Sequence, residues 1–151
     1  MLVVALLLFH TSPQPIEGSY VALTMNGGAL PAEMHIPVSE SGDFRLFRLE
    51  QGVLRLTDDR RFTLYFRYYH QLVQHGHRPV STPVLSDSET GTFQVQAGRL
   101  ILTPTKKKGR RSRPPVTATI LGDDIKATYL LENGSSHQRV SLTLRRDASF
   151  W

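Results

Sequence analysis

The 151-residue chain contains no cysteine. That absence excludes disulfides, thiolate-ligated zinc, iron–sulfur clusters, thiol nucleophiles and lipidated cysteine together. Long apolar runs are scarce as well: after Met1 the run Leu2 to Phe9 has eight residues, against about 20 for a helix that crosses a bilayer. No transmembrane segment is expected. No stretch keeps a helical period beyond two turns. There is no phosphate loop, no dinucleotide fingerprint and no Gly-x-Ser-x-Gly elbow, so the sequence asks for no cofactor and shows no catalytic motif.

Charge is present but concentrated. Of 18 Lys and Arg, six fall in one eight-residue stretch, Lys106, Lys107, Lys108, Arg110, Arg111 and Arg113, which leaves 12 basic against 13 acidic residues elsewhere. The body is nearly neutral. The net charge of +5 therefore belongs to one local feature rather than to a basic face spread over the surface.

The run Leu2 to Phe9 has the length of a signal-peptide apolar core, without the preceding basic residues or a small-x-small cleavage site after it. Two readings stand: a truncated export signal, which would place the domain outside the cytoplasm, or an N-terminal strand or arm. Pro13 and Pro15 separate it from the rest of the chain, giving a segment 1–17 and a domain 18–151.

From Gly18 onward apolar residues alternate with polar ones, the period of half-buried strands. Phe62, Leu64, Phe66 and Tyr68 form one such row, and Val116, Ala118 and Ile120 another. Ala97–Gly98, Gly122–Asp124 and Asn133–Gly134 read as turns. The pattern predicts strands near 18–25, 44–50, 52–57, 61–70, 90–96, 99–105, 115–121, 124–131 and 138–145. Short connections make neighbours antiparallel, and closure removes the two exposed edges of an open sheet. The expected fold is all-β: an up-and-down antiparallel barrel of about eight to nine strands, preferred to a two-sheet sandwich.

Gly18-Ser19-Tyr20, Asn26 to Pro31, Gly52 to Leu56 with Asp59 and Phe62, and Gly91-Thr92-Phe93 together resemble the lipocalin-like, calycin-type domains of uncharacterised bacterial proteins, over residues 18–146. In lipocalins a Gly-x-Trp motif opens the first strand and a basic residue of the last strand packs over the indole. The resemblance implies that Tyr20 takes the aromatic position and that Arg145 or Arg146 covers it. It also implies a ligand held inside the barrel.

The expected inward row is Tyr20, Leu54, Leu56, Phe62, Leu64, Phe66, Tyr68, Phe93, Val95, Leu100, Leu102, Ile120, Tyr129, Leu131 and Leu142. An eight-stranded barrel either fills with side chains or holds one small ligand. For the ligand reading, the binding residues are Tyr20, Phe62, Leu64, Phe66, Tyr68, Phe93, Val95, Leu102, Tyr129 and Leu131, taking a small apolar molecule. A filled, ligand-free core is the alternative.

The basic stretch Lys106 to Arg113 reads as an exposed loop. It either keeps the barrel soluble or contacts an anionic partner, nucleic acid or membrane surface. No aromatic lies between Thr105 and Pro115 to stack a base. His70, His75 and His77 are read as solvated loop histidines, not as zinc ligands. The carboxylate pairs Asp58–Asp59 and Asp123–Asp124 sit in expected turns, where adjacent side chains diverge. An enzyme would need Tyr68, His70 and Arg67 to converge at the barrel mouth; the expected function is non-enzymatic.

Overall fold

The computed structural model describes residues 15–38, 42–77, 83–106, 113–133 and 136–149, with the side chains of 131–138 outside that description. Among the described residues there are ten strands and no helix: β1 (Gly18–Met25), β2 (Gly28–Ala29), β3 (Ala32–Pro37), β4 (Phe44–Leu56), β5 (Arg61–Val73), β6 (Leu85–Gln96), β7 (Arg99–Pro104), β8 (Val116–Leu121), β9 (Asp124–Asn133) and β10 (Ser136–Arg146). Each of β4 to β9 pairs antiparallel with the next, β10 pairs with β1, and β1 pairs with β4. That last pairing, Gly18↔Leu56 to Val21↔Val53, closes an eight-stranded up-and-down barrel. The two short strands β2 and β3 flank the seam.

A bulge in β4 explains how one strand borders two neighbours. The register with β5 slips between Leu49 and Gln51, so the buried phase passes from Leu49 to Gly52, Leu54 and Leu56. Below the bulge β4 pairs with β1, and above it with β3. The segments 44–50 and 52–57, expected as separate strands, are thus one strand whose period breaks at Glu50. A second slip between Ala22 and Thr24 lets Met25 follow Ala22 into the core.

Large side chains pack the lower barrel: Phe62, Leu64, Phe93, Leu54, Leu100, Leu102, Ile125 and Leu144 are almost fully buried. The hairpin turns match their residues. Ala97 and Gly98 both have positive φ, the geometry that a two-residue turn between twisted strands requires.

The two ends differ. At the closed end Tyr20 donates to the Ile16 carbonyl at 2.7 Å and accepts from Arg146 Nη2 at 2.9 Å. Arg146, rather than Arg145, covers the ring, and it also bonds the Pro15 carbonyl. At the other end β7 stops at Pro104 and β8 begins at Val116, whereas β6 and β9 run on, so the wall thins and the barrel opens.

Candidate functional site: a cavity at the open end

Where the barrel opens there is a cavity of about 170 Å³. Its apolar wall comes from Ile36 on β3, Phe47 and Leu49 on β4, Phe66 and Tyr68 on β5, Tyr129 on β9, and Val140 and Leu142 on β10. Arg45, His70, Asp87 and Arg113 line it too. Aromatic rings set its shape. Phe66 meets Tyr129 edge to face at 5.8 Å, Phe47 tilts against Tyr68 at 5.4 Å, and Tyr68 stacks on His70 at 6.3 Å. Edge-to-face and offset arrangements hold such rings in place.

The polar groups come from the upper half of β6. Its partly buried positions Leu85, Asp87 and Glu89 share a phase with buried Gly91 and Phe93, which puts two carboxylates on the barrel side of one strand. Glu89, only 16% exposed, pairs with Arg113 Nη1 at 3.4 Å. Arg113 closes the basic stretch, so the end of that stretch is joined to the cavity wall.

Tyr129 carries the least satisfied group. Its hydroxyl is buried and makes no hydrogen bond among the described residues. Burial pushes its ionisation far above the usual tyrosine range, and the nearby Glu89 carboxylate pushes in the same direction. The phenol is therefore neutral, with one donor and its lone pairs unused.

Of the residues expected to bind a ligand, Phe66, Tyr68 and Tyr129 line this cavity. Phe62, Leu64, Phe93 and Leu102 are instead packed below it in the core, and Tyr20 belongs to the closed end. Val95 is 44% exposed, which corrects its assignment to the interior. Its phase is that of Phe93, but β5 begins at Arg61 opposite Thr92, so β6 overhangs beyond it and leaves Val95 uncovered on that flank. The side chain of Leu131 lies outside the described residues, as do Lys107, Lys108, Arg110 and Arg111 of the basic stretch. Lys106 is exposed and Arg113 reaches the cavity. Arg67 points away from Tyr68 and His70, on the exposed phase of β5.

Sequence reasoning missed β3 and the upper half of β6. Ala32, Met34 and Ile36 alternate with Glu33, His35 and Pro37, a period-two signal within reach of the same test that found the other strands. Residues Ser86 to Glu89 gave no such signal because their inward positions are acidic.

No family model, curated protein or solved structure matches this chain. The fold defines the class, an eight-stranded antiparallel barrel with a partly polar cavity at one end.

Proposed function

We propose that the chain is a non-enzymatic, lipocalin-like binding protein that holds one small, mainly apolar molecule in the open-end cavity. The observation that carries this reading is the buried Tyr129 hydroxyl, unpaired and on the cavity wall. A buried polar group left without a partner costs about 1–3 kcal/mol. A ligand with one hydroxyl, carbonyl or amine removes that cost while its apolar part rests against Phe47, Phe66 and Leu142.

Size narrows the ligand class. A dry cavity of about 150 Å³ accepts benzene, so a space of about 170 Å³ suits a molecule with a single ring or a short branched chain. Long-chain fatty acids exceed it. The packed lower core supports the same limit, because Phe62 and Phe93 occupy the depth that a longer chain would need.

The test is a size series followed by thermal unfolding. Phenol, p-cresol and short alcohols should raise the unfolding temperature, and hexadecanoate should not. Val140→Phe, which fills the space from β10, should remove the effect. Stabilisation by hexadecanoate alone, or an undiminished effect in Val140→Phe, would refute the reading.

A further inference from the structure

Two acids occupy positions of the barrel interior that are ordinarily apolar. Asp87 and Glu89 both sit on the inward phase of β6, in line with buried Gly91 and Phe93. Their cross-strand neighbours on β5 are Phe66 and Leu64, and Phe66 in turn meets Tyr129 edge to face, so both carboxylates stand near the depth of the Tyr129 ring. Of the described cations that line the cavity, Arg45 pairs with Leu72, and exposed His70 pairs with Phe47, both nearer the open end at which β5 finishes. Arg113 reaches inward to Glu89, but at 3.4 Å and with its own side chain 44% exposed.

What gathers at that depth is a set of hydrogen-bond acceptors. Ionised carboxylates accept and do not donate, and one Asp87 oxygen takes the Ser88 N–H at 2.9 Å. The Tyr129 hydroxyl, buried on the cavity wall, makes no hydrogen bond among the described residues, so its lone pairs stand ready as well. Glu89 is near enough to push the Tyr129 ionisation upward. The rings of Phe47, Phe66 and Tyr68 line the same space, and ring faces attract cations, most strongly where water is excluded. A half-exposed ion pair such as Glu89–Arg113 contributes little. It does not by itself account for a carboxylate inside the barrel that is only 16% exposed.

We propose, building on the reading of the cavity as a ligand site, that its occupant is a small primary amine whose ammonium group sits between the Tyr129 hydroxyl and the carboxylates of Glu89 and Asp87. An ammonium brings three donors and no acceptor, the complement of that set. Its apolar part rests against Phe47, Phe66 and Leu142. The ammonium takes over Glu89 from Arg113, whose half-exposed side chain can turn out to water. A carboxylate ligand fits less well, because its charge would meet Asp87 and Glu89 at the depth of Tyr129, while Arg45 and His70 stand nearer the mouth.

Three probes of nearly equal size separate charge from shape: benzylamine, benzyl alcohol and benzoate, each titrated into the full chain at neutral pH by calorimetry. Benzylamine should bind about tenfold more tightly than benzyl alcohol, with benzoate the weakest of the three. Glu89→Gln should cut the preference for benzylamine over benzyl alcohol to about twofold. Arg113→Gln should raise benzylamine affinity about threefold by removing the competing cation, an effect that a merely structural role for the pair would not produce. Benzylamine no tighter than benzyl alcohol, benzoate the tightest, a preference unchanged in Glu89→Gln, or benzylamine affinity not raised in Arg113→Gln would each overturn the amine assignment while leaving a ligand site around Tyr129 in place. Failure of all three probes and of p-cresol to bind would remove that site itself, and the amine with it.

Discussion

Arg146 lies over the ring of Tyr20, its guanidinium carbon 5.3 Å from the ring centroid, and the same guanidinium donates to the Tyr20 hydroxyl at 2.9 Å. The pair joins the last strand to the first across the closed end of the barrel, where β1 pairs with both β10 and β4. A tyrosine in this position offers what an indole would, an apolar face for the cation, and adds an oxygen that bonds both Arg146 and Ile16.

Removing Arg146 should therefore loosen closure. Arg146→Ala forfeits a cation–π contact and a charge-assisted hydrogen bond, for an expected loss of about 2 kcal/mol. Tyr20→Phe keeps the ring and should lose about 1 kcal/mol. Urea unfolding with an unchanged slope measures both. A loss in Arg146→Ala no greater than in a surface Arg→Ala control would separate the pair from barrel stability.

Gly91 makes a sharper packing prediction. A Cβ built there would overlap the Thr103 carbonyl oxygen and come within 2.6 Å of Phe62 Cε1 and 2.9 Å of Pro104 Cα, two of the three being backbone atoms that cannot swing aside. Gly91→Ala should cost about 2–3 kcal/mol through overpacking in the middle of the β5–β6–β7 sheet. Denaturant midpoints test this, and Gly98→Ala, a turn position with open space around it but positive φ, provides a comparison governed by backbone strain alone.

How much of this the sequence discloses depends on which property alternates. The rows Phe62 to Tyr68 and Ile125 to Tyr129 announce their strands because their inward residues are apolar, and short turns dictate the meander. The bulge at Glu50 is invisible as a bulge, since a phase break looks the same as a strand end. The carboxylates of the site were missed for a related reason. Asp87 and Glu89 replace apolar residues on the inward phase of β6, so the segment that departs from the strand pattern is the one that carries the cavity's charge. The pairing of Glu89 with Arg113, 24 residues away, depends on where the connection returns, which composition does not encode.

Alkaline pH should reveal the buried phenol. Burial raises the Tyr129 ionisation above the ordinary tyrosine value of 10, and burial likewise raises Tyr20 despite the opposing pull of Arg146. The unfolded chain then loses these protons first, so stability is intact below pH 10 and falls as pH rises beyond it. In the variant Tyr129→Phe the fall should be shallower. Identical alkaline unfolding curves for the two proteins would contradict the buried, unpaired state of this hydroxyl.

The acid side has its own marker on the outer surface. Arg145 Nε and Nη2 contact the two carboxylate oxygens of Asp124 at 2.8 and 3.1 Å, and this pairing holds Asp124 below the ordinary aspartate value of 3.8. Because the folded value is lowered, whatever stability the pair contributes is present above the unfolded value and lost as pH falls through the folded one. Carboxyl NMR titration should place Asp124 below 3.8, and Arg145→Met should return it toward 3.8. An unchanged Asp124 titration in that variant would remove the pair as the cause.

The most direct test of a ligand site built around Tyr129 is calorimetric titration of p-cresol into the wild-type protein and into Tyr129→Phe. The expected result is saturable binding of one molecule per chain, weakened roughly tenfold when the Tyr129 hydroxyl is removed. Absence of saturable binding across the small-ligand series, or equal affinity in the two proteins, would contradict such a site.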